Sequence, residues 1–428
     1  MQDSTIPSST ARPPDMDHLR ISSDRLKVDF DALAHFGATP EGGVNRPALG
    51  EAHLEARQWL RQRIQSDGLE LRLDQAGNHL AFLGCGPQNA PALLLGSHLD
   101  SVPDGGRYDG ALGVLAALEV LRTVHDAGLS LPVNLEAVDF TDEEGTLVGL
   151  LGSYALAGQL KAADLLAPRG GREHLLLSLV RAGLSESGLL EATRDPSSLA
   201  GYLELHIEQG PRLLHAGAQI GVVSSIVGIC SYKLAFLGRA DHAGTTPMRD
   251  RLDAAQGAAA FTLAVRQKVL HDFPECVANV GMARLMPGAF NIVPQRAELA
   301  LELRSAEPES YAHLEAALLE IARSEADRYG LGLETEFLGR HQPTPLSPLA
   351  QQAIQQAADN LGLSHMPLVS GAGHDAQALA AICPAGMIFV PSQGGASHSP
   401  REFTNWEDCL NGANVLLQAA LLMAKSTG

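Results

Sequence analysis

The sequence lacks most of the features that would assign it to a specialised class of protein. Its five cysteines are scattered, odd in number and without a CxxC pair. This pattern argues against a disulfide framework or a zinc knot and favours reduced thiols in the cytoplasm. No apolar run reaches the roughly 18 residues of a membrane-spanning helix. The polar residues 1–24 lack the apolar core of a signal peptide or anchor, so we expect a mobile tail.

Basic residues and repeats are scarce as well. Lysine and arginine total 31 against 49 acidic residues, which gives a formal net charge of −18 without any long basic run. Nucleic acids and anionic membranes are therefore poor candidates for partners. Short-period repeats, the mark of solenoid proteins, are absent. The chain has 428 residues, of which 45% are hydrophobic. A chain of this length is too long for one core, so we predict two domains.

The stretch 93–110 is the part of the sequence around which the rest is organised. Its apolar run is typical of a buried parallel strand, and it ends abruptly in polar residues. His98 and Asp109 flank a loop that contains Pro103 and several glycines, and leucines with helical spacing follow. A strand, a ligand-rich loop and a helix in this order predict a loop at the carboxyl edge of an open α/β sheet, where such sheets bind ligands.

Two later strands end in the same way. The strand predicted at 133–140 is followed by an acidic cluster that includes Glu143 and Glu144. The alternating run 202–211 carries His206 near its end. Because crowded carboxylates are costly unless a cation neutralises them, the repeated pattern favours a metal site over solvated turns.

The middle of the chain reads as an inserted domain. Between residues 228 and 340 the predicted order is strand, helix, strand, strand, helix, strand, which is the pattern of a ferredoxin-like domain. Its neighbours on both sides read as one α/β domain with a mixed central sheet flanked by helices. We therefore predict a tail, a first domain in two parts and an insertion, with the boundaries 1–24, 25–222 and 341–428, and 223–340.

The first domain resumes after the insertion. A buried strand at 387–390 opens a Gly- and Ser-rich loop that contains His398. Before it, His374 and Asp375 follow three small residues at a predicted strand-to-helix turn. These two side chains are either polar groups of the site or a helix N-cap with its supporting network.

The strand-end candidates form two sets of metal ligands that share one aspartate. Two imidazoles with the shared carboxylate make one set, and one imidazole with a second carboxylate completes the other. Mixed nitrogen and oxygen ligation suits Zn²⁺, Mn²⁺ or Co²⁺, and the lack of a cysteine ligand gives no preference for zinc. Two ions about 3.5–4 Å apart can hold a hydroxide and polarise a carbonyl. The candidates are His98, Asp109, Glu144, His206 and His398.

Two further carboxylates have predicted roles beside the ligands. A carboxylate outside the ligand set must take a proton from water and pass it to a leaving nitrogen, and Glu143 is the natural choice. Asp100, two residues after His98, is placed to accept the other N–H of that imidazole and so to orient the ring.

These residues resemble a known family of hydrolases. The motifs 98–100, 108–110 and 142–145, together with His398, resemble the di-metal site of the M20 metallopeptidase and amidohydrolase superfamily, over the chain from about residue 25 onward. The inserted domain resembles the lid and dimerisation domain of that superfamily. More specific motifs resemble the hydantoinase/carbamoylase branch, which holds N-carbamoyl-L-amino-acid hydrolases, β-ureidopropionases and allantoate amidohydrolases. Those motifs are 204–211, 241–248, 291–294 and 370–376.

The resemblance implies a cytoplasmic homodimer that hydrolyses N-carbamoyl-L-amino acids to L-amino acid, CO₂ and ammonia, with two divalent ions per subunit. It implies that His242 of the lid reaches the site of the partner subunit and stabilises an oxyanion. By the same resemblance, Asn291 and Arg304 hold the substrate carboxylate, for which a guanidinium is well suited, and Gln209 binds the ureido group.

Other functions stay open at this stage. Allantoate amidohydrolase would use the same residues on a related ureido acid. An aminopeptidase or aminoacylase is a third possibility, although His206 stands where peptidase branches usually carry a carboxylate. Residues 146–148 are Thr-Leu-Val where the branch often has Ser-Arg-Phe, which weakens the substrate assignment. A non-catalytic relative would have no reason to keep the ligand set and Glu143.

Overall fold

The structure of the protein is a computed structural model, which describes residues 18–426. Contacts divide the chain into two compact units, which are described separately. The first comprises the chain up to Ser224 with Leu346–Leu368 and the segment from His374 onward, and the second comprises Ser225–Pro345 with Val369–Gly373. The strands, in chain order, are β1 (Glu70–Leu73), β2 (His79–Leu83), β3 (Ala92–His98), β4 (Asn134–Phe140), β5 (Leu199–Ile207), β6 (Ile220–Ile226), β7 (Gly228–Leu237), β8 (Val277–Met286), β9 (Arg296–Ser305), β10 (Gly332–His341), β11 (Thr344–Pro345), β12 (His365–Ser370) and β13 (Ala385–Val390).

Helices connect and cover the strands. None of those in residues 18–426 combines the length and the hydropathy that a membrane span requires. In chain order the helices are α1 (Ser23–Leu33), α2 (Glu51–Ser66), α3 (Ala111–Asp126), α4 (Leu151–Leu156), α5 (Arg172–Ala182), α6 (Glu186–Glu191), α7 (Arg212–Ala216), α8 (Ala254–Asp272), α9 (Pro308–Arg328), α10 (Pro348–Asn360), α11 (Asp375–Leu379) and α12 (Trp406–Ser426).

The first unit is built on a mixed sheet. Its strands follow the order β1-β2-β4-β3-β5-β13-β6, with β12 beside β6. The four central strands, β4, β3, β5 and β13, are all parallel, whereas β2 and β6 run antiparallel to their inner neighbours. The carboxyl ends of four adjacent strands therefore lie at one edge of the sheet. The mixed α/β fold predicted from the sequence is confirmed.

Helix α3 forms the centre of the hydrophobic core. Residues Ala111–Val124 are all buried, although a surface helix would bury only one stripe. Its leucines and alanines pack on β3, β4 and β5 on one side and on α12 and α1 on the other. This burial explains why most of its sequence is apolar, and its buried polar residues Glu119 and Arg122 are paired with each other.

The second unit has its own sheet and core. Its elements follow the order β7-α8-β8-β9-α9-β10, and its antiparallel sheet has the strand order β10-β7-β9-β8. Strand β9 alternates strictly between buried and half-buried residues, so that one face of the sheet packs on α8 and α9. Leu301, Phe236 and Phe261 belong to this separate cluster.

Most predicted elements occur within a few residues of their expected bounds, and the differences have local causes. The tail expected for residues 1–24 lies outside the described residues up to residue 17, and α1 already begins at Ser23. The hydroxyl of Ser22 caps this helix by accepting the N–H of Arg25. The sequence analysis assigns no strand to β6 or β12, because Gly and Ser interrupt the first and a proline interrupts the second.

Candidate active site

The candidate residues of the first unit meet at the carboxyl edge of the sheet. His98 ends β3, His206 lies next to the last residue of β5, and the acidic pair Glu143 and Glu144 follows β4. His398 lies in the loop between β13 and α12. Because these strands are parallel and adjacent, residues that are up to 300 positions apart in the sequence are brought to one place.

Two clusters of ligand atoms share Asp109. In the first, Oδ1 of Asp109 lies 3.2 Å from Nε2 of His206 and 3.5 Å from Nε2 of His98. In the second, Oδ2 of Asp109 lies 3.7 Å from Nε2 of His398, which is 3.4 Å from Oε2 of Glu144. Within each cluster the ligand atoms all lie within 4.8 Å of one another. Each oxygen of one carboxylate therefore faces a different cluster, as a bridging ligand would.

Burial and mutual repulsion act on the carboxylates of the site. Burial raises the pKa of Glu143 well above its ordinary value, and neighbouring carboxylates, including Glu144, raise it further. The pKa of Glu144 is raised by burial and by the charge of Asp109. Burial acts in the same direction on Asp109, but the imidazoles of His206 and His98 outweigh it and hold its pKa below the usual range. Without a cation, the acidic side of the site disfavours its own ionised form.

The donor set fits divalent metal ions. The Nδ1–H of His98 donates to the carbonyl of Asp100 at 3.0 Å, so the Nε2 lone pair faces the cluster. That Nε2 and Oε1 of Glu144 are buried and have no hydrogen-bond partner among the described residues. Buried polar atoms are rarely left without a partner, and a metal ion would satisfy both of them.

Asp100 accepts the second imidazole N–H of His98, as predicted, but with its backbone carbonyl. The backbone carbonyl of Asp100, and not its carboxylate, receives the imidazole N–H, since Oδ1 is 3.9 Å from Nδ1. The carboxylate instead accepts the backbone N–H groups of Glu143 and Glu144, each at 3.2 Å. The carboxylate of Asp100 thus holds the loop after β4 in place, and its backbone carbonyl orients the ring of His98.

Asp142 is a structural residue that the sequence analysis missed. Its buried carboxylate accepts the N–H groups of Leu147 at 3.0 Å and of Gly149 at 3.0 Å, and the Thr146 hydroxyl at 3.2 Å. Thr146 also accepts the N–H of Ala48, so the hydroxyl that replaces the usual serine still ties this loop together. The signal in the sequence was three consecutive acidic residues, of which the first points away from the site.

Gln209 contacts the shared carboxylate of the site. Its amide nitrogen donates to Oδ2 of Asp109 at 2.7 Å and lies 3.3 Å from Oγ of Ser397. Its Oε1 is buried and has no hydrogen-bond partner among the described residues. The side chain therefore offers an acceptor, and not a donor, for a ligand. Ser397 and the nearby Glu402 were also missed by the sequence analysis, although both lie within four residues of His398.

His374 and Asp375 lie at the start of α11, as the helix-cap alternative expected, but the side chain of His374 makes no capping hydrogen bond. The ring of His374 packs edge-on against that of His206, with centroids 4.6 Å apart, and against Phe389. The carboxylate of Asp375 is fully buried. Burial and the charge of Glu204 raise its pKa well above the ordinary value. The structure therefore places His374 directly behind His206 and not at the surface.

The three remaining candidates lie in the second unit. His242 pairs with Ile292 in an isolated bridge, and the N–H of Ala243 donates to the carbonyl of Asn291, so these two candidates are neighbours. Nδ1 of His242 accepts the N–H groups that follow it in the chain, which leaves Nε2–H as a donor on an exposed ring. Arg304 is half-buried, donates to Glu302 at 2.9 Å and contacts the carbonyl of Gly371.

Comparison with known proteins agrees with this site. Residues 94–422 match the model of the peptidase family M20/M25/M40. The N-carbamoyl-L-amino acid amidohydrolase of Geobacillus stearothermophilus is 37% identical, over 95% of this chain and 99% of its own. The ureidoglycolate hydrolase of Arabidopsis thaliana is 34% identical, over 95% of this chain and 87% of its own. The crystal structure of a hydantoinase/carbamoylase-family amidase from Burkholderia multivorans matches with a TM-score of 0.86 at 34% identity, covering 95% and 98% of the two chains.

The fold, the ligand clusters and these relatives define a hydrolase of amide C–N bonds whose family is metal-dependent. The chain belongs to the peptidase family M20/M25/M40, in its hydantoinase/carbamoylase branch.

The electrostatics of the site predict how pH acts on the metal-free protein. Burial and the charge of Asp142 raise the pKa of Asp100 to about 8. Burial opposes the charged form of His206, but Asp109 raises the pKa of this ring to about 9. Between the ordinary histidine pKa of 6.5 and about pH 8, both groups bind more protons in the folded than in the unfolded state. These two groups therefore lower the free energy of unfolding as pH rises through this window, whereas His98, whose pKa burial lowers to about 4, acts in the opposite direction.

Thermal unfolding of chelator-treated protein at several pH values checks this expectation. The Tm should fall between about pH 6.5 and pH 8, and it should fall less after Mn²⁺ is added, because a cation favours ionised carboxylates and neutral imidazoles. Asp100→Asn removes one of the titrating groups and should flatten the slope of the metal-free protein. Equal slopes with and without metal would contradict the expectation.

Proposed function

We propose that the protein hydrolyses N-carbamoyl-L-amino acids to L-amino acid, CO₂ and ammonia, with two divalent ions per subunit. The observation that carries the proposal is the pair of ligand clusters joined by Asp109, in a chain that aligns over almost its whole length with N-carbamoyl-L-amino acid amidohydrolases. The substrate would be a small ureido acid. Zn²⁺, Mn²⁺ and Co²⁺ all suit the mixed ligands.

In this proposal His98 and His206 would hold one ion, Glu144 and His398 would hold the other, and Asp109 would serve both. Ions bound there would polarise the ureido carbonyl and make a water molecule more acidic. The tautomer of His98, set by its hydrogen bond to a backbone carbonyl, keeps the metal-facing nitrogen unprotonated. This second contact is typical of metal-binding histidines.

Glu143 is proposed as the residue that moves the proton. Its Oε2 lies 3.5 Å from Nε2 of His98, and it belongs to neither ligand cluster. Water adds to the ureido carbonyl while Glu143 takes one of its protons. Glu143 then gives this proton to the amino-acid nitrogen, which leaves as its bond to the ureido carbon breaks. The carbamic acid that remains decomposes to CO₂ and ammonia. Burial and neighbouring carboxylates raise the pKa of Glu143, which makes it a stronger proton acceptor once bound cations favour its ionised form.

The second unit is proposed to be a ferredoxin-like lid that contributes substrate contacts. His242 presents Nε2–H as a donor, which suits a developing oxyanion. Asn291, its neighbour, and Arg304 would bind the substrate carboxylate. Gln209 of the first unit would accept an N–H of the ureido group through its unpaired Oε1.

Arg304→Gln is expected to raise KM about 10- to 100-fold with little change in kcat, since hydrogen bonds to charged groups contribute about 1.5–3 kcal/mol. The reason is that a carboxylate that takes no part in the bond changes is bound equally in the ground and transition states. Arg296 provides a matched control on the same strand, because it donates to Glu298 at 2.9 Å just as Arg304 donates to Glu302. Equal effects of Arg296→Gln and Arg304→Gln on KM would contradict the role of Arg304.

We propose that two copies pair through the second unit. Strand β8 is an edge of its sheet and exposes the apolar side chains of Val277, Met282 and Leu285 by 60%, 41% and 43%. An exposed edge strand with apolar side chains is a template for pairing with another chain. In this proposal, the chain that pairs with β8 is a second copy of the same protein.

A reducing compartment, the cytoplasm, is proposed as the location. All five cysteines are free thiols, and Cys230, Cys276 and Cys409 are buried. Burial raises the pKa of the Cys409 thiol above its usual range. Such inert buried thiols need no oxidising environment.

A second candidate is the hydrolysis of another ureido acid such as allantoate. The ureidoglycolate hydrolases of Arabidopsis thaliana and Oryza sativa are 34% and 32% identical to this chain, close to the values for the carbamoylases. The loop at residues 146–148, which departs from the pattern of the branch, lies beside Glu143 and Glu144, so it bears on substrate choice.

The deciding experiment compares substrates on chelator-treated enzyme reloaded with Mn²⁺, Co²⁺ or Zn²⁺. Ammonia release and product identity are measured for N-carbamoyl-L-amino acids, their D-enantiomers, allantoate and dipeptides. We expect the highest kcat/KM for an N-carbamoyl-L-amino acid. We expect no turnover of any substrate by the metal-free enzyme. A higher kcat/KM for allantoate would establish the second candidate, and a higher value for dipeptides would reject both.

A further inference from the structure

Glu402 is a buried carboxylate to which the proposed reaction assigns no role. It lies four residues after His398, between β13 and α12, and is 5% exposed. Its Oε1 accepts the backbone N–H groups of Tyr108 at 2.9 Å and of Asp109 at 3.1 Å. Its Oε2 accepts the hydroxyl of Ser397 at 3.0 Å.

These contacts connect the two loops that carry the shared carboxylate and His398. Oγ of Ser397 also lies 3.0 Å from Oδ2 of Asp109, so one hydroxyl stands between the carboxylates of Glu402 and Asp109. The next residue, His398, has a φ of 51°, a left-handed conformation that a residue other than glycine keeps only when its surroundings impose it. Glu402 thus holds one loop through the main chain and the other through Ser397.

Gly106 provides the space that this carboxylate occupies. A Cβ atom built on Gly106 would lie 2.0 Å from Oε1 of Glu402, so no larger residue fits without displacing the carboxylate. Gly106 does not have a positive φ, and the glycine is therefore needed for space and not for backbone conformation. The loop before Asp109 is shaped around Glu402.

We propose that Glu402 is a positioning residue of the metal centre. It sets the distance between Asp109 and His398 and thereby the affinity for the ion held by the cluster of Asp109, Glu144 and His398. Glu402 belongs to neither ligand cluster. The inference rests on the proposed two-ion centre but not on the identity of the substrate. Residues that orient metal ligands typically contribute about 10- to 100-fold to metal affinity.

The test is a titration of the metal-free full-length protein with Mn²⁺ alone. Binding is measured by calorimetry and by electron paramagnetic resonance. Wild type should bind two ions and show the exchange-coupled signal of an Mn²⁺ pair. Glu402→Ala should bind one ion about 10- to 100-fold more weakly and lose the coupled signal at stoichiometric metal. Glu402→Gln should lie between the two, because its amide oxygen keeps the two backbone hydrogen bonds.

Two further variants separate positioning from general stability. Gly106→Ala displaces the same carboxylate, so it should lower the affinity for the same Mn²⁺ ion. The double variant Gly106→Ala/Glu402→Ala should bind that ion no more weakly than whichever single variant binds it less tightly. Glu119 is another buried carboxylate. It lies on α3 and is paired with Arg25 of α1 and with Arg122 of α3. Glu119→Ala should lower Tm while leaving both Mn²⁺ affinities unchanged.

Each outcome has a distinct meaning. Unchanged affinities and an unchanged coupled signal in Glu402→Ala would overturn the inference. So would an equal loss of affinity in Glu119→Ala, because the effect would then follow stability alone. A wild type that binds fewer than two ions would instead contradict the proposed metal centre on which the inference rests.

Discussion

Replacing Glu143 by glutamine is expected to lower kcat about 10²–10⁴-fold, the usual contribution of a positioned proton acceptor, while both metal ions are retained. Glutamine has nearly the same size and cannot take a proton. Because Glu143 lies outside both ligand clusters, its amide should leave the metal content unchanged. The measurements are kcat on an N-carbamoyl-L-amino acid and the elemental content of the loaded protein.

Two neighbouring carboxylates control this experiment. Glu144→Gln changes a proposed ligand, so activity and metal content should fall together. Glu208→Gln removes a charge near the end of β5, where Glu208 accepts the N–H groups of Arg212 and Leu213. It should leave kcat close to that of wild type. Near-normal turnover of Glu143→Gln would reject the proposed role, and loss of metal from that variant would make Glu143 a ligand.

Replacing His242 by alanine is expected to lower kcat about 10²–10³-fold, the usual effect of losing one oxyanion donor. The proposed ions would offset part of the developing negative charge, and a donor from the proposed lid would offset more of it. If His242 acts across the dimer, mixing Glu143→Gln chains with His242→Ala chains should restore activity. One site of the mixed dimer lacks both groups, and the other is intact.

The mixing experiment needs proof of subunit exchange and a negative control. Exchange can be followed with differently tagged chains. Chains that carry both substitutions, mixed with Glu143→Gln chains, should stay inactive, because no combination then contains an intact site. Exchange without recovery of activity would show that His242 acts within its own subunit or does not act in catalysis. The proposed pairing through β8 would still stand in that case.

The ligand clusters were accessible to sequence reasoning because their geometry follows from the sheet. His98, Glu144 and His206 each lie at or just after the end of a strand that the apolar pattern predicts. Parallel neighbouring strands carry such residues to a common edge. The structure brings the same five residues together in two clusters that share Asp109.

Contacts between distant segments were not accessible in the same way. Glu402 accepts the N–H of Tyr108 across 294 positions of the chain, and nothing in the local pattern around either residue indicates this bond. Asp100 was expected to orient His98 with its carboxylate, yet its carbonyl does so. The path of a loop decides which oxygen of a residue faces a neighbour, and side-chain type alone does not.

The sequence by itself determined most of the helices and strands, the order of elements in the second unit and the residue types at the ends of the strands, because hydrophobic periodicity and turn residues act locally. Only the tertiary structure decided which oxygen of Asp109 faces which cluster, how Asp142 and Asp100 divide the support of the loop after β4, and that Oε1 of Gln209 is buried without a hydrogen-bond partner among the described residues. Hydrogen bonds are directional and depend on separations of a few tenths of an ångström. Such distances are set only when the strands, loops and buried helix have packed together.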